Sequence, residues 1–307
     1  MYEIKRTPEE FVVTELMDLP PGEGEYAYYV LRKTLLSTEE AVQEVCMALG
    51  VRRKDVGYAG SKDRRAVTTQ FVSVKNRKVD SMARGRWSLE FVRWGRRPLS
   101  LGFNSGNRFE IVVHGVDNFK ARERFVNYFG EQRFGGINVA VGHLIVKRRF
   151  ADAKDILVGE GYCADADPVA ALRAVAQKTM RLFIHAYQSW VWNETVARML
   201  AQGLESEFVP IVGFGTDLGE FEHGAIIQSI LDAEGITQRD FIIRSLPLLS
   251  AEGALRAMYA RADDVRVEKI SQGACRVCFV LVKGSYATEF LRQSIVKTLA
   301  APVVSRS

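Results

Sequence analysis

The apolar positions of this chain fall into strand-like blocks at its two ends and a helix-like period in its middle. Phe11-Val12-Val13 and Tyr26–Leu31 carry β-branched and aromatic residues, and Pro20-Pro21-Gly22 breaks them apart, so residues 1–34 are predicted to be extended. Residues 38–49 predict a helix, with Ser37 as its cap, Glu40 completing a capping box and Gly50 ending it. Gly57–Arg65 predicts a turn, and Val67–Val74 a strand leaving it. Further strands are expected over 88–94 and 108–114, and a helix over Phe119–Phe129. Residues 169–202 combine a long apolar periodicity with good helix formers, and Pro168 sits where a first-turn proline is tolerated. The segment GFGTDLGEFEHG, 213–224, is an acidic, Gly-rich loop. Strand character returns over 265–283 around a Gln272-Gly273 turn, and a last helix is expected from Tyr286 to Leu299 with Ser285 at its cap.

Strands at both ends around a helical middle predict a discontinuous α+β domain with a helical module inserted into it. The length of 307 residues suits one large or two ordinary domains, and 47% hydrophobic residues allow a sizeable core. No apolar run approaches the roughly 18 residues that span a bilayer. The opening MYEIKRTPEEFVV lacks an apolar signal core and a small-residue cleavage site. A soluble, cytoplasmic protein without membrane contact is expected. The four cysteines (Cys46, Cys163, Cys275, Cys278) include one C-x-x-C, but it lies in CRVCFVLV, which reads as a buried strand. The four histidines show no ligand spacing, so no zinc set is completed and no metal site is expected.

Charge changes this picture through its distribution. The net charge is +5, yet residues 51–100 hold 14 Lys/Arg against 4 Asp/Glu, while residues 201–250 hold 2 against 8. The basic zone falls in the outer domain and the acidic zone in the insert. Trp87, Trp94, Phe71 and Phe91 stand among the cations, a mixture that points toward a nucleic-acid partner.

Within the basic zone, GYAGSKDRRAVTTQ places one carboxylate, Asp63, in a Gly-rich turn beside Lys62, Arg64 and Arg65. Gly57 and Gly60 allow positive φ or close approach of a ligand. Neighbouring cations favour the charged form of a carboxylate. Such a group facing a polyanion is poorly suited to binding and well suited to chemistry. Phosphate-binding and dinucleotide signatures are missing, because GYAGSKD is too short and has Asp where a hydroxyl belongs. The spacing of Asp55, Asp63 and Asp80 fixes no shared face for a metal-dependent nuclease. A reaction led by a single carboxylate fits better, with the aspartate acting on a sugar or base carbon of an extruded nucleotide.

At these residues the chain resembles the TruD family of RNA pseudouridine synthases. GYAGSKDRRAVTTQ is similar to the segment around that family's catalytic aspartate, which falls on Asp63. IKRTPEEFVVTE resembles the N-terminal block at Lys5, Pro8, Phe11 and Glu15. LGFNSGNRFEIVV carries the Gly-Asn-x-Phe element as Gly106, Asn107 and Phe109. NYFGEQRFGG, AYQSWVWNE and GSYATEFLRQ resemble the entry to the insertion, a helix within it and the C-terminal element. Six blocks in the family's order are highly specific.

The resemblance implies a pseudouridine synthase fold: a mixed, mainly antiparallel sheet flanked by helices. It implies a discontinuous catalytic domain, 1–135 plus 248–307, and a helical or mixed TruD-type insertion over 136–247. It implies isomerisation of a uridine in tRNA, typically at position 13, with other RNAs in some members, by base flipping and without a cofactor. Asp63 is then the catalytic carboxylate and Lys5 its ion-pair partner. Whether Asp63 attacks the sugar, attacks the base or assists glycal formation is left open. Phe11 is expected to pack on the flipped uridine, Asn107 to hydrogen-bond it and Phe109 to pack beneath. Tyr286, where bacterial members have phenylalanine, is expected to stack on the uracil, its hydroxyl being a candidate for proton transfer. Lys62, Arg64 and Arg133 are candidate substrate contacts. The oligomeric state is open, with a monomer as the expectation. A non-catalytic tRNA-binding or tRNA-folding protein and a metal-dependent RNA hydrolase stand as rival readings.

Overall fold

In the computed structural model, which describes residues 2–116 and 119–295, the capping box at Ser37 is complete: its side chain accepts the Glu40 amide, and the Glu40 carboxylate accepts the Ser37 amide. Strands β1 (Glu3–Ile4), β2 (Phe11–Leu16) and β3 (Tyr26–Thr34) precede the capped helix α1 (Thr38–Leu49). Then follow β4 (Val56–Tyr58), β5 (Val67–Lys75), β6 (Ser81–Arg84), β7 (Trp87–Gly95), β8 (Gly106–His114) and β9 (Arg124–Val126). A helical stretch holds α2 (Glu131–Phe134), α3 (Asn138–Val146), α4 (Phe150–Gly159), α5 (Pro168–Ala174) and α6 (Gln177–Ala201). After it come β10 (Phe208–Ile211), α7 (Gly224–Glu234), β11 (Ala254–Ala257), β12 (Tyr259–Ser271), β13 (Ala274–Val282) and α8 (Ala287–Ile295). Residues 296–299, expected in the last helix, lie outside the described residues.

The fold is α+β. Among the described residues its main sheet has eleven strands in the order β6-β7-β3-β5-β2-β8-β13-β12-β9, with β1 added on β8 and β4 on β5. Strands β2 and β5 run parallel, with Val12 opposite Val67. Their other neighbours are antiparallel: β8 on β2, and β3 and β4 on β5. Because β2 and β5 point the same way, the segments that lead into them lie at the same end of the sheet. This brings residues 5–10 and 59–66 together.

Among the described residues the chain forms two compact units. One runs to Phe125 and resumes over Ala260–Ile295; the other is Val126–Tyr259. In the first, Ala41, Val42, Val45 and Leu49 of α1 pack with Tyr29, Leu31, Val72, Val74 and Trp87. A second core joins Phe109, Phe125, Val277, Phe279 and Phe290, so α8 lies against β8 and β13. In the other unit α6 is the central element, with Phe183, Tyr187 and Trp192 fully buried. That unit begins before residue 136 and ends after residue 247, the expected limits of the insert. Its flanks belong to it because Asn193 of α6 exchanges two hydrogen bonds with the Phe129 backbone, and Arg256 donates to the Asn127 carbonyl oxygen.

Three local expectations are corrected. Phe119–Phe129 is not a helix: it contains the strand β9, and Phe125 to Phe129 are buried consecutively, without the single buried face of a surface helix. The long helix expected over 169–202 is two helices, since Val175 and Ala176 are extended between them. The Ser285 hydroxyl is buried without a hydrogen-bond partner, so it does not cap α8.

Candidate active site

The site grows from strand alternation in β2 and β8. Phe11, Val13 and Glu15 are the buried positions of β2, and they stand opposite Ile111, Phe109 and Asn107 of β8. One face of the sheet therefore carries Phe11, Phe109, Glu15 and Asn107. Phe109 stacks on Phe279 at 5.2 Å between centroids and meets Phe11 edge-on at 6.4 Å.

At the end of this face, Lys5 Nζ donates to Asp63 Oδ2 at 2.6 Å and lies 3.9 Å from the centre of the Phe11 ring. The ammonium is thus held between a carboxylate and an aromatic face. Lys5 has φ of 61°, in the left-handed region, which costs a residue with a β-carbon about 1–2 kcal/mol. Arg65 donates to the Lys5 carbonyl oxygen at 3.2 Å and so braces this backbone. The Asp63 side chain remains 36% exposed, while that of Lys5 is 16% exposed. The carboxylate is oriented and still reachable.

The loop 59–66 lacks repeating structure, so side chains must satisfy its backbone. Thr38 Oγ1 accepts the Lys62 amide at 2.8 Å and donates to Gln70 Oε1, while Gln70 Nε2 donates to the Gly60 carbonyl oxygen at 3.2 Å. Lys33 Nζ donates to the Asp63 carbonyl oxygen at 3.0 Å and to that of Leu36 at 2.6 Å. Neither Gly57 nor Gly60 has positive φ. Gly57 is required by close approach, since a β-carbon there would sit 2.3 Å from the Leu99 carbonyl oxygen.

Several expected contacts have other partners. Lys62 turns inward: its ammonium meets Glu15 Oε1 at 2.5 Å, and these side chains are 6% and 0% exposed. It neutralises a buried carboxylate, which also accepts the Phe71 amide, and is not presented to substrate. Phe11 is 2% exposed and its ring bears the Lys5 ammonium, so it forms the floor under Lys5 and offers no open face for a base. Trp87 belongs to the core, with its indole N–H on Glu44, while Phe91 and Trp94 pack partly buried against that core. Packing accounts for these three aromatic residues of the basic zone. Arg93 donates to the carbonyl oxygens of Leu19 and Pro20. Arg64 is largely exposed, its nearest carboxylate being Glu40 at 3.4 Å. Cys275 and Cys278 are free thiols in β13, and the odd spacing directs them to opposite faces of the strand.

The model of the tRNA pseudouridine synthase D (TruD) family matches residues 2–166, 162–209 and 206–294. The chain belongs to the TruD family. It is 31% identical over 339 residues to the tRNA pseudouridine synthase D of Anaeromyxobacter dehalogenans, covering 94% of this chain and 92% of that protein. It is 27% identical over 373 residues to that of Aquifex aeolicus, covering 94% and 97%. A solved structure of a TruD chain from Methanosarcina mazei matches with a TM-score of 0.71 at 20% identity, over 95% of this chain and 93% of that one, and shares its fold.

The remaining family positions occupy both units. Asn107 Oδ1 is buried without a hydrogen-bond partner, an acceptor held ready on the same sheet face as Glu15. Asn107 is opposite Leu281, so the turn after β13 brings half-buried Tyr286 to that end of the sheet. The Tyr286 carbonyl oxygen accepts the Glu289 and Phe290 amides at the start of α8. Arg133 belongs to the other unit, where it lies on α2, donates to Ser189 Oγ at 3.2 Å and lies 5.9 Å from the Phe129 ring. Among the described residues no group of three His, Cys, Asp or Glu side chains converges as a metal site would require.

Lys33, Thr38 and Gln70 were not visible as site residues in the sequence. Lys33 leaves one signal. It follows Tyr29 and Leu31 on the inward positions of β3, where a lysine is out of keeping with its neighbours.

Proposed function

We propose that this TruD family member is a tRNA pseudouridine synthase, converting a uridine of tRNA, at position 13, into pseudouridine with Asp63 as the catalytic carboxylate. The observation that carries the reading is the Lys5–Asp63 pair: a reachable aspartate, paired with one cation on a left-handed backbone, in the segment that matches the family model. The two relatives named above are tRNA pseudouridine synthases by name, which supports the tRNA substrate.

The reaction is an isomerisation and needs no net oxidant or reductant. The N1–C1′ bond breaks, the uracil turns, a C5–C1′ bond forms, the C5 proton leaves and N1 gains one. A base inside RNA must first be extruded for this to occur. Asp63 acts at the sugar or the base while Lys5 keeps the carboxylate aimed. Asn107 Oδ1 accepts from the uracil N3–H. Tyr286 supplies the aromatic face for the base and a hydroxyl suited to moving the C5 proton. Arg64 and its exposed basic neighbours receive the phosphates.

The test is incubation of the protein with uridine-containing tRNA transcripts in EDTA, with pseudouridine read by carbodiimide labelling. Product is expected from the native protein and none from Asp63→Asn, whose tRNA affinity should stay within about threefold. RNA cleavage that needs an added metal, without pseudouridine, would favour a hydrolase. Binding without product from any tRNA would favour a non-catalytic binder.

A further inference from the structure

The second lysine that touches Asp63 does so from inside the protein. Lys33 is 1% exposed, and its ammonium donates to the main-chain carbonyl oxygens of Asp63 and Leu36. The alternation of β3 directs it inward, where Thr68 of β5 and Trp87 of β7 are its cross-strand partners. Resting on the reading of Asp63 as the catalytic carboxylate, we propose that Lys33 is a positioning residue for the reaction. Its grip on the Asp63 and Leu36 carbonyl oxygens fixes the backbone from which the carboxylate is aimed.

Three observations carry this. First, the loop 59–66 has no ladder of its own, and each buried side chain on it holds a different point. Gln70 holds the Gly60 carbonyl oxygen, Thr38 the Lys62 amide and Lys33 the Asp63 carbonyl oxygen. Lys33 is therefore the side chain that constrains the peptide of the catalytic residue itself. Second, the other end of the grip is a strained segment. Leu35 has φ of 56°, an unusual backbone for a bulky residue, and this turn precedes the carbonyl group that Lys33 holds. Third, a buried charge is an expensive way to satisfy two carbonyl groups that a neutral donor could also serve. Burial pushes the ammonium down to about 8, with the Asp63 carboxylate opposing that shift. The gain is that charge-assisted bonds are about twice as strong as neutral ones. Lys5 thus orients the carboxylate from the outside, and Lys33 anchors its main chain from the core.

The test is steady-state pseudouridylation of tRNA by Lys33→Met, beside Lys33→Gln and Asp63→Asn, with tRNA affinity and the thermal unfolding midpoint measured on each. A displacement of the aspartate by about an ångström costs about 100-fold in rate. Both Lys33 variants are expected to lose about 10- to 100-fold in kcat while KM and tRNA affinity stay within about twofold. A folded variant that keeps kcat within about twofold overturns the proposal. So does a loss confined to KM, or the failure of both variants to fold, which would make Lys33 a folding residue only. Should Asp63→Asn itself retain activity, the reading of Asp63 fails, whatever the Lys33 variants do.

Discussion

Lys5 and Asp63, 58 positions apart, meet at 2.6 Å because their segments enter the two parallel strands of an otherwise antiparallel neighbourhood. The Asp63 carboxylate is still reached by solvent, which screens the pair, so its value lies in orientation more than in stability. Lys5→Met should therefore leave the fold intact and lower kcat by about 100-fold, in keeping with a carboxylate that has lost its aim. Steady-state rates with tRNA check this. A variant within about threefold of the native kcat would show that Asp63 needs no partner.

The inward pair is a different case. Glu15 and Lys62 are both buried, and Glu15→Gln leaves an ammonium in the core without its anion. Removing one partner of such a pair costs about 3–5 kcal/mol. Urea unfolding of Glu15→Gln should show a loss of that order at unchanged m value. A loss below about 1 kcal/mol would mean that Lys62 finds water or another acceptor.

Lys33 also gives stability a pH signature. In the folded protein burial pushes its ammonium from 10.5 down to about 8; Lys62 adds to that, and Asp63 and Glu40 oppose it. Between these two values the unfolded chain holds a proton that the folded chain has released. Raising the pH therefore favours folding over that window, and below about 8 the favourable contribution is lost. At about 1.4 kcal/mol per pH unit, the stability of the native protein relative to Lys33→Met should rise by about 3 kcal/mol between pH 8 and 10.5. Urea unfolding of both proteins across that range measures the difference. A flat or falling difference would contradict it.

Arg64 tests the electrostatic face. It is exposed, and its 3.4 Å contact with Glu40 is of a kind worth little at the surface. If it meets a phosphate, Arg64→Ala should weaken tRNA binding at low salt and reduce the slope of log affinity against log salt by about one. Titrations at several salt concentrations settle it, and an unchanged slope would assign Arg64 to solvent.

Local signals were the most legible part of the chain. The capping box at Ser37, the left-handed Gly50 and the Gln272-Gly273 hairpin turn were all readable, because each depends on a few adjacent residues. The helix α3 was not. Its sequence NVAVGHLIV has the β-branched run of a strand, and packing against α6 decides the matter. Gly142 is the contact point, since a β-carbon there would sit 2.1 Å from the Phe183 carbonyl oxygen. The break between α5 and α6 carries neither glycine nor proline and so left no mark. In the site, the resemblance supplied Lys5 as the partner of Asp63, whereas no spacing rule could. The inward turn of Lys62 and the grip of Lys33 escaped because adjacent residues of an irregular loop diverge in ways that composition does not encode.

The parallel pairing of β2 and β5 also sets when the site can exist. Contacts between residues distant in sequence form only after the intervening chain has closed, at an entropic cost that slows folding. The capped helix and the β12–β13 hairpin are local and can form early. The Lys5–Asp63 pair must wait for β2 to find β5 across more than 50 residues. Recovery of tRNA-modifying activity during refolding is therefore expected to lag behind recovery of secondary structure, which makes the enzyme's own turnover a clock for the last step of its folding.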